Sequence, residues 1–196
     1  MSRRARLLVD GGVYHIINRG HDRHKIFHEP VDYNEFKEAI RSYKNRFAFE
    51  LFHYCLMPNH IHLLLRISIG QDLPHLMQGI TQKYEKYHKR KYKLVGNLFQ
   101  GRYKSLYIDK DTYLLECGRY IERNPLRANM VKNMAECQFS SFNFYAIGKA
   151  DDIITANPLY CEMSQDPKER MKLYVDYLMQ ERPYERIVDR EFQVGG

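Results

Sequence analysis

Two histidines one residue apart, His60-Ile61-His62, directly follow the turn Met57-Pro58-Asn59 and open the apolar run Leu63-Leu64-Leu65. In a β-strand, residues i and i+2 project from one face, so the two imidazoles stand side by side while Ile61, Leu63 and Leu65 point into a core. Two imidazoles held parallel on a rigid strand are half of a metal site. Further along the chain, Tyr120 and Asn124 are four residues apart. On a helix that spacing is one turn, and it offers a phenol and an amide carbonyl to the same region of space. The amide oxygen is a hard donor suited to magnesium or manganese. The phenol is a competent nucleophile towards phosphorus when a metal polarises the phosphate.

These groups need elements to position them. Val13 to Arg19 reads as a first strand, ended by Gly20. Pro30 and Asp32 open a helix to about Arg46, with Tyr33, Phe36, Ile40, Tyr43 and Phe47 as its core face. Phe49–Leu56 and His60–Ile67 form an antiparallel hairpin across the Pro-Asn turn. Gly70-Gln71-Asp72 caps a second helix carrying Leu73, Leu76, Met77, Ile80, Tyr84 and Tyr87 on one side. Leu98–Ile108 reads as a fourth strand after Gly96-Asn97. Asp109 or Asp111 then caps a third helix through about Arg123, closed by Asn124-Pro125. The order βαββαβ followed by a helix predicts an α+β fold, ferredoxin-like, with two helices on one face of an antiparallel sheet and the Tyr120 helix added. Beyond it, a short helix near Ser140–Ile147 and an amphipathic helix over Pro167–Gln180 are expected. Residues 1–135 are therefore read as the main domain and 136–196 as a helical C-terminal extension.

Composition narrows the function classes. The chain has 196 residues, 44% of them hydrophobic, enough for a packed core. It contains no run of eighteen apolar residues, and Met1-Ser2-Arg3-Arg4-Ala5-Arg6 lacks the apolar stretch of a signal peptide, so a cytoplasmic protein without membrane association is expected. Cys55, Cys117, Cys137 and Cys161 are scattered, which speaks against a zinc ribbon or a disulfide framework. The formal net charge is +7, but residues 148–196 hold 7 Lys/Arg against 10 Asp/Glu, a net of −3 that leaves +10 on residues 1–147. That basic portion, rich in the chain's 16 tyrosines, suits a single-stranded polyanion with bases to stack. Lys83 to Lys93 carries six Lys/Arg, one Glu, and Tyr84, Tyr87 and Tyr92, and reads equally as a solvated helical face or as a phosphate contact. The loop histidines His21, His24 and His28 are too irregularly spaced for ligands.

Three blocks together resemble one family. His60-Ile61-His62 in the context Met57-Pro58-Asn59-His60-Ile61-His62-Leu63-Leu64 resembles the histidine–hydrophobic–histidine motif of the HUH single-strand endonucleases and their single-tyrosine transposases. Arg119-Tyr120-Ile121-Glu122-Arg123-Asn124-Pro125-Leu126-Arg127-Ala128 is similar to the branch known as REP-associated tyrosine transposases. Phe99-Gln100-Gly101-Arg102-Tyr103-Lys104 and Gln138-Phe139-Ser140-Ser141-Phe142 fit the same branch, so the resemblance covers residues 10–145. It implies an enzyme that cuts and rejoins single-stranded, hairpin-bearing DNA through a 5′-phosphotyrosine. It further implies Tyr120 as nucleophile, with His60, His62 and Asn124 holding one Mg2+ or Mn2+. Related insertion-sequence enzymes carry glutamine at the last position, where this chain has the shorter asparagine. No nucleotide cofactor is needed, and both a monomer and a homodimer are compatible with the branch.

Arg3, Arg4, Arg6, Arg19, Lys83, Lys86, Arg90, Arg102 and Lys104 are the candidate DNA contacts. Glu116, one turn before Tyr120, is expected in a surface salt bridge, and Tyr113, about 10 Å along the axis at 1.5 Å per residue, in packing or stacking. A non-catalytic nucleic-acid-binding module on a ferredoxin-like sheet is the alternative class, though it needs no histidine pair. A carboxylate two-metal nuclease would need acidic spacings the sequence lacks.

Overall fold

The computed structural model describes residues 7–109 and 111–180, apart from the side chains of 111 and 112. The order is β1 (Val13–Arg19), α1 (Pro30–Lys44), β2 (Phe49–Met57), β3 (His60–Ile67), α2 (Leu73–Tyr92), β4 (Lys104–Ile108), α3 (Asp111–Arg127), α4 (Phe142–Ile147), α5 (Pro158–Glu162) and α6 (Pro167–Met179). Among the described residues the strands form one antiparallel sheet in the order β2-β3-β1-β4. That is the split βαβ arrangement the element order predicts. Each β-α-β unit brackets an antiparallel strand, so β3 and β1 are central and buried on both faces.

Alternation along the central strands divides the interior in two. Tyr14 and Ile16 of β1 and Ile61, Leu63 and Leu65 of β3 pack with Phe36 and Ile40 of α1 and Leu76, Met77 and Ile80 of α2. On the other face, Ile17, Leu64 and Ile108 pack with Leu114, Cys117, Tyr120 and Ile121 of α3. The two crossover helices thus share one face, and α3 seals the opposite one. The register slips between Leu51 and His53, a β-bulge in β2. It changes the phase of the strand: Leu51 and Tyr54 lie on the α1–α2 side, whereas Phe52, Cys55 and Met57 lie on the α3 side.

Two element boundaries differ from the sequence expectation. The fourth strand covers only Lys104–Ile108, because Gly101 sits at φ +105°, a conformation that breaks an extended run and that glycine adopts readily. Phe99 keeps only an isolated bridge to Gly20. The third helix does not close at Asn124-Pro125 but continues to Arg127 with Pro125 inside it. A proline near a helix C-terminus removes one intrahelical bond, and the turn still closes through Ala128 N–H to the Asn124 carbonyl at 2.9 Å. The short α5, which the sequence pattern did not reveal, is capped by the Asn157 side chain accepting from Leu159 N–H.

The C-terminal segment covers what would otherwise be an open sheet edge. Leu56 N–H donates to the Phe139 carbonyl at 2.9 Å, Ser141 N–H to Tyr54 at 3.0 Å, and Thr155 N–H to Leu51 at 2.8 Å, which pairs the outer side of β2. Ile153 is fully buried in the α1–α2 core, and Asp151 meets Lys37 of α1 and the Tyr54 hydroxyl at 2.9 and 2.7 Å. The acidic character of this segment is thus partly matched to basic residues of α1.

Candidate active site

Register and pleat place the two histidines. The two-residue turn Pro58-Asn59 pairs Met57 with His60, and its carbonyls are tied down by Gly20, Ile26 and Phe27 N–H groups at 2.7–3.0 Å. His60 then lies opposite Arg19 of β1, and His62 opposite Ile17, which is in turn opposite Lys104 of β4. Directly paired residues project from the same face, so His60, His62, Arg19 and Lys104 share the α3 side of the sheet. The ring centroids of His60 and His62 are 5.0 Å apart, at 80° to one another.

The hydrogen bonds leave the same atom open on each ring. His60 Nδ1 is 2.6 Å from Asn59 Oδ1, and His62 Nδ1 is 3.0 Å from Nε2 of His15. Both Nε2 atoms are buried and have no hydrogen-bond partner among the described residues. Burial, reinforced for His60 by the Arg19 cation, lowers the His60 pKa to about 4. Burial, followed by His60, His15 and Arg127, carries His62 well below its ordinary value. Both rings are therefore neutral at pH 7, and neutral imidazole is the metal-binding form. A buried nitrogen lone pair without a donor is costly, and a cation would satisfy both at once. The donor pair fits a divalent metal.

The α3 helix supplies the other half. Tyr120 is 1% exposed, and its ring lies edge-on to His15 and His62, with centroids 5.7 and 5.8 Å apart. Asn124 is 8% exposed, and its Nδ2 donates to the Tyr120 carbonyl at 3.0 Å, which turns Oδ1 into the atom able to face a cation. Because the helix runs through Pro125, Arg127 returns to the Tyr120 side after seven residues, and its guanidinium stands 5.1 Å from the Tyr120 ring centroid. Spacing alone did not single out Arg127, and His15 looked like any other residue of a strand. A histidine two positions from another apolar-flanked β1 side chain gives no signal until strand pairing sets it beside His62.

Other candidates are placed differently. Glu116 is 9% exposed and so is not a surface residue. Tyr113 is 36% exposed, in contrast to the buried Tyr120. Lys83, Lys86 and Arg90 are exposed on α2, whose core side packs on the face opposite the histidines. Arg102 is exposed in the loop before β4. The tyrosines among the α2 cations serve the interior. Tyr84 donates to the Ile26 carbonyl, while Tyr87, Tyr92 and Lys91 all bond the buried Asp32 at 2.7–2.8 Å. Arg3, Arg4 and Arg6 lie outside the described residues. Among the described residues no group of three or more His, Cys, Asp and Glu side chains forms a metal cluster, and no helix is long and apolar enough to cross a membrane.

The chain is similar to known proteins along most of its length. A Haemophilus influenzae protein described as a REP-associated tyrosine transposase is 28% identical over 155 residues, 73% of this chain and 86% of that one. The fold matches a solved REP-associated tyrosine transposase bound to a REP hairpin, with a TM-score of 0.65 at 21% identity, over 80% of this chain and 93% of that one. Residues 9–124, which include both histidines, Tyr120 and Asn124, match the family model described as "Transposase IS200 like". That match spans more than half of the chain, and the protein belongs to the IS200-like transposase family of DNA-cleaving enzymes.

Proposed function

We propose that this transposase cleaves and rejoins hairpin-bearing single-stranded DNA through a covalent bond to Tyr120. The observation that carries the reading is the pair of buried Nε2 atoms of His60 and His62, without a hydrogen-bond partner among the described residues, beside the Tyr120 ring. Hairpin DNA as substrate is suggested by the solved relative bound to a REP hairpin. His60 Nε2, His62 Nε2 and Asn124 Oδ1 would hold one Mg2+ or Mn2+, which when bound supplies Lewis-acid polarisation of a phosphate oxygen.

The chain's own groups account for the remaining chemistry. Tyr120 loses its phenolic proton and its oxygen attacks the scissile phosphorus in line. The phosphorus–O3′ bond breaks, O3′ takes up a proton, and the DNA stays attached as a 5′-phosphotyrosine. Attack by a 3′-hydroxyl reverses the step and joins strands without a nucleotide cofactor. The Arg127 guanidinium stands 5.1 Å from the Tyr120 ring centroid, close enough to interact with negative charge that develops during the attack. Tyr120 is buried, so the site must open for a phosphate to reach it. Arg19 and Lys104, on the histidine face, are positioned to contact the flanking backbone, and Lys83, Lys86 and Arg90 extend the basic surface on the other side. Tyr120 and both histidines meet within one chain, which supports a site complete in a monomer. Residues 136–180 act as a brace that closes the β2 edge and holds α3.

Incubation of the protein with a hairpin-bearing oligonucleotide and magnesium or manganese tests the reading. A covalent protein–DNA adduct is expected, absent in Tyr120→Phe and in His60→Ala. An adduct that persists in Tyr120→Phe would show that the nucleophile is another residue. Binding without cleavage under all conditions would return the protein to the class of binding modules.

A further inference from the structure

His15 has no part in the chemistry above, yet it touches both halves of the site. It lies on β1 at 0% exposure, on the same face as His62, and its register partner is Leu64, two residues further along β3. The two imidazole centroids are 5.2 Å apart and inclined by 31°, with His15 Nε2 3.0 Å from His62 Nδ1. The edge of the Tyr120 ring meets His15 at 5.7 Å.

One neutral ring of such a pair donates and the other accepts, so the bond fixes a tautomer. If His15 were the donor, the proton of His62 would sit on Nε2 and occupy the lone pair that a cation needs. If His62 is the donor from Nδ1, its Nε2 carries a lone pair, which a cation satisfies. Asn59 Oδ1 does the same for His60. We propose that His15 is a positioning residue of the cation site, accepting a hydrogen bond from His62 Nδ1 and so presenting His62 Nε2 to the metal. This inference rests on the cation-binding reading of His60 and His62.

The test uses the full chain without DNA. Manganese binding is followed by the electron paramagnetic resonance signal of free Mn2+, for wild type, His60→Ala, His15→Leu and His15→Gln, with circular dichroism to check folding. Loss of a partner that orients a metal ligand weakens binding by roughly 10–100-fold, and that loss is expected for His15→Leu. The glutamine variant retains an acceptor oxygen and is expected to bind within a few-fold of wild type. Wild-type affinity in a folded His15→Leu, or equal loss in both variants, overturns the role of His15 alone. If neither His60→Ala nor His15→Leu changes binding, the cation site itself falls and the role of His15 with it. Should His15→Leu fail to fold, a long-range 1H–15N imidazole spectrum of the Mg2+-loaded wild type decides. A protonated Nδ1 on His62 is expected, and an unprotonated one overturns the proposal.

Discussion

Glu122 anchors α3 to β2 and to the C-terminal helices, and its removal should be among the most damaging single changes in this chain. The carboxylate is fully buried. It accepts from the Ser141 hydroxyl at 2.6 Å and the Tyr174 hydroxyl at 2.8 Å, and it faces His53 Nδ1 at 2.9 Å. His53 Nε2 in turn meets Asn157 at 3.0 Å. One side chain on α3 therefore ties β2, the start of α4, and α6 to the helix that carries Tyr120. Glu122→Ala leaves three buried polar groups without their acceptor, each costing about 1–3 kcal/mol. Relaxation and water entry hold the sum to about 3–5 kcal/mol, the range found when one partner of a buried polar pair is removed. For a chain of this length that corresponds to a melting point lower by roughly 6–20 °C. Glu122→Gln keeps the volume and one acceptor, and hydroxyls can rotate to accept from its amide, so about 1–2 kcal/mol is expected. Urea denaturation at pH 7, followed by circular dichroism, gives both values, and hydrogen exchange of the α3 amides shows whether the helix loosens. A loss below about 1 kcal/mol in the alanine variant, or equal losses in the two variants, would refute the assignment of the network as the anchor of α3.

Three further outcomes follow from the geometry. A Cβ on Gly118 would lie 2.7 Å from His53 Nε2, on a ring pinned by Glu122 and Asn157, so Gly118→Ala should destabilise by about 1–3 kcal/mol despite the better helix propensity of alanine; a gain in urea midpoint would contradict this. Burial lowers the pKa of His15 to about 3 and, together with Arg19, that of His60 to about 4, whereas unfolded histidine titrates near 6.5. The unfolded chain thus binds more protons below pH 6.5, and stability should fall as pH drops from 6.5 to 5, before most carboxylates titrate, with a flat urea midpoint over that window as the contrary result. Finally, affinity for hairpin DNA should fall with salt, and Lys104→Ala should make the log–log slope shallower by roughly 0.7–0.9 if that lysine contacts one phosphate; an unchanged slope places Lys104 outside the DNA path.

The order of elements was legible because it rests on local chemistry. Val13–Arg19 and His60–Ile67 coincide with their expected bounds, since alternation and the Pro58-Asn59 turn act over a few residues. The His60–His62 pair and the Tyr120–Asn124 spacing are equally local, set by strand and helix periods. The departures arise where a neighbour decides. Gly101 ends an extended run through its backbone angle, Pro125 is tolerated because the last turn of α3 closes around it, and the bulge before His53 reverses which face β2 presents. By sequence the Lys83–Lys93 stretch reads equally as a solvated face or a phosphate contact, whereas in the fold Tyr87, Lys91 and Tyr92 all bond Asp32.

Sequence by itself thus determined the ferredoxin-like order of elements and the residue types able to hold a metal and attack a phosphate. Tertiary structure decided that α3 lies across the histidine face of the sheet, that His15 backs His62, and that Arg127 stands over Tyr120. The physical reason is range. Periodicity fixes where a side chain points along its own element, whereas strand register and helix docking, summed over many weak contacts, fix what it meets there.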